Sequence, residues 1–127
     1  MNDAQKTLAP GDFRELTELH DMASQACELL KAMANEWRLI ILCQLSEGEK
    51  TVSELQSLLG LSQSALSQHL AVLRQAGVVN TRKDGINVYY SLKSAKISEA
   101  CSLTRQILLE RLEDHVSLSD LIKKTGD

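Results

Sequence analysis

The stretch from Thr51 to Gly77 constrains this chain more than any other. Thr51-Val52-Ser53-Glu54 is a capping box, S/T-x-x-E, and opens a helix that runs to about Leu59. Gly60 then supplies a sharp turn, Ser62 an N-cap for a second helix, and Gly77 a residue to stop it. In that second helix Leu66, His69, Leu70 and Leu73 recur at i, i+3, i+4 and i+7 and mark one face. The other face carries Gln63, Ser64, Ser67, Gln68, Ala71 and Arg74. An ordinary solvated face holds more Lys and Glu. Short side chains let a backbone come close to a partner, and Ser, Gln and Arg bond phosphates and base edges. A helix, a Gly turn and a helix with such a face make the helix-turn-helix arrangement.

After Gly77 the period changes from 3.6 to 2. Val78–Arg82 and Asn87–Leu92 are β-rich runs, with Lys83-Asp84-Gly85-Ile86 between them, and Asp-Gly is a strong hairpin signal. A hairpin directly after such a helix is a wing. Arg82, Lys83 and Asn87 stand on its tip and flanks, where they suit phosphate or minor-groove contact. The expected fold is therefore mainly α with a β-hairpin wing.

The flanks extend this picture. Residues 1–11 read as a flexible arm, 12–116 as the winged helix-turn-helix domain and 117–127 as a short C-terminal tail. Phe13, Leu16, Leu19, Met22, Ala23, Ala26, Leu29, Leu30 and Met33 are apolar positions of a first long helix, with a break expected near His20-Asp21. Asn35 caps a second helix from Glu36 to about Leu45, with Leu39, Ile40 and Cys43 on its apolar face. A last helix runs from about Ser94 to Val116 through Ile97, Cys101, Leu103, Ile107, Leu108 and Leu112, and Ser117 or Ser119 caps a short tail helix. The first and last helices hold more apolar residues than a small winged domain buries alone. A homodimer through these two helices accounts for them. It would set two recognition helices about one DNA turn, ~34 Å, apart to read an inverted repeat.

Charge distribution names the partner. Residues 51–97 hold five basic and two acidic residues, a net of +3 inside a chain whose net is −3. With one Trp, two Tyr and one Phe there is little to build a stacking platform for single strands, so double-stranded DNA is the expected ligand. No apolar run approaches the ~18 residues of a membrane span, and Met1 to Pro10 lacks the features of a signal peptide, so a cytoplasmic location and no membrane partner are expected. The three cysteines, odd in number and far apart, fit a reducing compartment. The chain has no Gly-rich phosphate loop, G-x-S-x-G or H-E-x-x-H, and no enzymatic activity or cofactor is expected.

Leu30-Lys31-Ala32-Met33-Ala34-Asn35-Glu36, Arg38-Leu39 and Ile41-Leu42-Cys43 resemble the opening of the ArsR/SmtB-type winged-helix repressors. Leu61 to Leu70 and Val79-Asn80-Thr81-Arg82-Lys83 carry the resemblance further, over roughly Ala23 to Leu112. Within the family the sequence is similar to the thiol-based branch of BigR, HlyU, SqrR and YgaV. The resemblance implies a homodimeric repressor that leaves its operator when reactive sulfur or an oxidant modifies its cysteines. Thr51-Val52-Ser53-Glu54-Leu55 stands where arsenic-type members carry Cys-x-Cys, and the last helix does not reproduce the family's zinc ligands, so no metal site is expected. The branch's sensing pair implies one thiol at Cys43 and a second at the position of Leu109. Cys101 lies eight residues earlier, about 12 Å along a helix. Two pairings stay open, Cys43 with Cys101 and Cys27 with Cys101.

The candidate DNA contacts are thus Gln63, Ser64, Ser67, Gln68, His69, Arg74, Arg82, Lys83 and Asn87. His69, on the apolar face, is either a structural histidine or a phosphate contact at the helix edge. Cys43, Cys101 and Cys27 are either sensor thiols or small hydrophobic residues. Two alternatives stand beside a thiol-switched repressor. One is a repressor or anti-silencer with inert cysteines, controlled by expression level or competition. The other is a protein-interaction module that keeps the winged fold without binding DNA.

Overall fold

The computed structural model describes residues 15–126, with the side chains of 115–121 and 124–126 left aside. The expected arm over residues 1–11 and Phe13 lie outside the described residues. The elements are α1 (Leu16–Met33), α2 (Glu36–Leu45), β1 (Lys50–Thr51), α3 (Val52–Leu59), α4 (Gln63–Gln75), β2 (Val79–Asp84), β3 (Asn87–Leu92) and α5 (Ala95–Gly126). They form a winged helix-turn-helix: mostly helical, with one small antiparallel sheet.

Local chemistry sets the helix ends. The Asn35 side chain accepts from the Arg38 amide and starts α2. At α3 the Thr51 hydroxyl accepts from the Glu54 amide while the Glu54 carboxylate accepts from the Thr51 amide, a complete capping box. Gly60 follows α3 with φ of +70°, a left-handed conformation that a Cβ disfavours. Ser62 then accepts from Ala65 and starts α4. A Schellman closure ends α4: Val78 N–H donates to the Leu73 carbonyl and Gly77 N–H to that of Arg74, with Gly77 at +75°. This reversal delivers the chain directly into β2.

The sheet order is β1-β3-β2, and both pairings are antiparallel. Asp84 pairs with Asn87 across Gly85-Ile86, and Gly85 has a φ of +65° while no non-glycine φ is positive, as in a type II′ turn. The first strand of the wing starts one residue later than the sequence suggests and ends two later, because Lys83 and Asp84 join the ladder. β1 is absent from the sequence reading. It spans two residues, too few for any alternation to register.

The core is formed by Ile41, Leu42 and Leu45 of α2, Leu55 of α3, Leu66, Leu70 and Leu73 of α4, and Val78 and Val79. All three leucines of the expected α4 face are buried. The α2 expectation is corrected: Leu39, Ile40 and Cys43 are exposed, and Ile41, Leu42 and Leu45 point inward. Apolar side chains surround α2, so its periodicity cannot choose a face. Two further expectations are corrected. α1 runs unbroken through His20-Asp21, and α5 continues past Ser117 and Ser119 to Gly126. Neither site carries a proline to interrupt the backbone ladder.

Along α1 only Ala32 is buried; Leu16, Met22, Leu29 and Leu30 are 43–78% exposed. On α5, Leu103, Ile107, Leu108 and Leu112 are 49–59% exposed. No helix among the described residues is long and apolar enough to cross a membrane.

Candidate nucleic-acid interface

α4 is pinned to the body by Leu66, Leu70 and Leu73, and this fixes what its opposite side presents. Gln63, Ser64, Ser67, Gln68, Ala71 and Arg74 are all exposed there. The helix holds no Asp or Glu, so no carboxylate of its own offsets the partial positive charge at its N-terminus. Arg74 lies in the last turn, where a cation is favoured. Ser67, Ala71, Arg74 and Gln75 also line an open groove with Val52, Leu70 and Tyr90, so this face of α4 continues onto the sheet.

His69 is set apart from that row. It is half-buried, and its Nδ1 lies 3.3 Å from Nη1 of Arg38 on α2. The same guanidinium donates through Nε to the Ala32 carbonyl and through Nη2 to the Lys31 carbonyl at 3.4 Å. The sequence reading did not single out this three-helix junction. Its one signal is a charged residue, Arg38, directly before the apolar run Leu39–Leu42 of α2.

On the wing, Arg82, Lys83 and Asn87 are exposed. Arg82 is already engaged. Its Nε donates to Glu49 at 3.3 Å, Nη2 pairs with the other Glu49 oxygen, and Asp84 lies 3.8 Å from Nη1. Its guanidinium also stacks 4.4 Å from the centroid of the Tyr89 ring, its cross-strand neighbour. The hydrogen bond from Arg82 holds the Glu49 carboxyl below the usual carboxylate range, and Glu49 in turn pushes the Arg82 guanidinium up. Nothing local to Glu49 in the sequence foretells a partner 33 residues away.

The cysteines are free. Cys27 on α1 and Cys43 on α2 are exposed; Cys101 on α5 is half-buried against the core. Burial pushes the Cys101 thiol up, and the nearby charge of Cys43 pushes it further in the same direction. Cys43 and Cys101 thus stand on two helices that pack against each other. Leu109 stands half-exposed further along α5. Among the described residues no group of three or more His, Cys, Asp or Glu side chains is gathered around a possible metal position.

Residues 35–81, from the cap of α2 to the first wing strand, match the model of the family described as "Bacterial regulatory protein, arsR family". The chain is 51% identical over 92 residues to the transcriptional activator HlyU of Vibrio cholerae, covering 72% of this chain and 85% of that one. The solved structure of reduced HlyU from the same organism superposes with a TM-score of 0.67, over 72% of this chain and 97% of that one. The biofilm growth-associated repressor of Xylella fastidiosa is 35% identical over 99 residues, 78% of this chain and 85% of the other. A homodimeric winged helix-turn-helix DNA-binding domain from Mycobacterium bovis, 29% identical, superposes with a TM-score of 0.69 over 76% of this chain and 89% of that one.

Proposed function

This chain belongs to the arsR family of bacterial regulatory proteins, and from that premise we propose that it is a homodimeric repressor that binds an inverted-repeat operator in double-stranded DNA and is released by cysteine modification. The observation that carries the DNA-binding reading is the acid-free, exposed row Gln63, Ser64, Ser67, Gln68 and Arg74 on α4, held outward by three buried leucines. Lys83, Arg82 and Asn87 add wing contacts to the backbone. The exposed apolar faces of α1 and α5 support pairing with a second copy, as does the homodimeric state of the M. bovis relative.

The proposed switch joins Cys43 and Cys101. The two thiols lose two protons and two electrons. The central S–S bond of an organic tetrasulfide accepts them and leaves as two persulfide molecules. A link between α2 and α5 then biases the spacing or freedom of the two recognition helices. Moving such an equilibrium from 99:1 to 1:99 takes about 5.5 kcal/mol of differential stabilisation, within reach of a covalent tether. The packing of α2, which carries the exposed Cys43, against α5, which carries Cys101, supports this pair over Cys27 with Cys101. Leu109, at the position the resemblance gives to the second thiol, favours the other reading, a regulator with inert cysteines.

Fluorescence anisotropy on the duplex upstream of this protein's own gene tests both parts. Tight binding by reduced protein, and a loss of about tenfold or more, roughly 1.4 kcal/mol, after tetrasulfide treatment, supports the thiol-switched repressor. Equal binding in both states leaves a DNA-binding regulator with inert cysteines. Binding with no salt dependence removes the DNA-contact reading, since phosphate contacts release counterions.

A further inference from the structure

The Arg38 guanidinium sits where three helices meet. Its own amide is tied to the Asn35 cap, so the first turn of α2 fixes where the side chain starts. Nε and Nη2 reach the carbonyls of Ala32 and Lys31, in the last turn of α1, where helical carbonyls have no partner within the helix. Nη1 reaches His69 Nδ1, at the middle of α4. Elsewhere on α1, Ala32 is the only buried residue among those described, with Met33 half-buried against the core. His69 directly follows Gln68 and lies two residues beyond Ser67, so the rotation of α4 that aims those side chains also sets where Nδ1 falls.

We propose that Arg38 and His69 are positioning residues that register the DNA-reading helix α4 on the C-terminal end of α1. The inference rests on the DNA-binding reading above. An arginine has no acceptor, so the bond requires Nδ1 to accept and puts the imidazole proton on Nε2. The bond to α1 runs through planar, forked geometry that a lysine ammonium does not reproduce. The state of α1, which is the face offered to a second copy, is thereby communicated to α4 through this side chain, alongside the direct packing of the two helices.

The two nitrogens of His69 separate positioning from direct DNA contact. An Asn amide oxygen stands as many bonds from Cα as Nδ1 does, and a Gln amide group as many as Nε2. His69→Asn therefore keeps an acceptor for Arg38 and loses the outer donor; His69→Gln does the reverse. Operator affinity is expected to stay within about threefold of wild type in His69→Asn. In His69→Gln and in Arg38→Gln it is expected to fall about tenfold or more. The double variant Arg38→Gln/His69→Gln is expected to lose no more than Arg38→Gln alone, because that variant already breaks the link to His69. Binding to a non-operator duplex, and its salt slope, should be unchanged. The opposite order of the two His69 variants, equal behaviour of all variants, or additive losses would overturn the proposal.

A DNA-free measurement keeps this separate from the functional reading. In amide NMR spectra of the reduced protein, Arg38→Gln is expected to shift resonances along α4 around His69. Shifts confined to α1 and α2 overturn the proposal even if wild-type protein binds its operator. Shifts along α4 uphold the registration even if no operator is bound, and then it is the DNA-binding reading that fails.

Discussion

Glu49 and Arg82 close on each other from the turn before β1 to the middle of β2, so the free protein holds its most engaged wing cation against a carboxylate. A phosphate reaching Arg82 has to displace Glu49. Glu49→Gln removes the competing charge and leaves a neutral group of the same shape. Tighter duplex binding is expected, with the slope of log K against log salt steeper by about 0.9 as one more phosphate is neutralised. Anisotropy titrations at several salt concentrations read both. An unchanged slope would make Arg82 a residue that braces the wing through Glu49 and Tyr89, with no part in phosphate contact.

The capping box at α3 gives a pH signature. Hydrogen bonds from the Thr51 amide and hydroxyl, with the nearby charge of Lys50, hold the Glu54 carboxyl below its ordinary value of 4.5. A carboxylate with a lowered folded-state pKa binds protons less readily folded than unfolded. Its contribution to stability is complete above the unfolded value and is lost as pH falls through the folded one. Glu54→Gln should therefore be less stable than wild type near neutral pH, and the gap should close as pH drops below about 4.5. Urea unfolding at several pH values checks this; a gap that persists in acid would mean that the carboxylate charge is not what the cap uses.

Gly77 tests the passage from recognition helix to wing. Its φ is +75°, and a Cβ added there meets nothing within 4 Å, so substitution strains only the backbone. Gly77→Ala should cost about 1–2 kcal/mol, and Gly77→Asn less, because Asn visits the left-handed region more readily. Equal urea midpoints for the two variants would show that the chain relaxes into a different closure after α4.

What the sequence disclosed divides by range. Asn35, Thr51 with Glu54, Ser62 and Gly77 act over three or four residues, and each was legible and each cap formed as read. The inward leucines of α4 were legible too, because they recur at helical spacing opposite a polar row. The inward side of α2 was not, since Leu39, Ile40, Ile41 and Leu42 follow one another and only the neighbouring helices choose among them. Pairings between distant segments were also hidden: Arg38 with His69, Arg82 with Glu49, and β1 with β3. Each depends on where the fold brings two surfaces together, and no periodicity encodes that.

The thiols offer a prediction that needs no DNA. Cys43 is exposed, while Cys101 is half-buried and its thiol is pushed up, first by burial and then by the charge of Cys43. A thiolate is the reactive form, so a raised pKa slows Cys101 at any pH below it. Iodoacetamide labelling followed by peptide mass spectrometry should modify Cys43 well before Cys101. Cys43→Ser removes the smaller of the two causes and leaves burial in place. Cys101 should then label faster in alkaline buffer, yet remain slower than an unstructured cysteine peptide. An unchanged Cys101 rate would show that the two thiols do not sense each other across α2 and α5, and would remove the main support for pairing them in a switch.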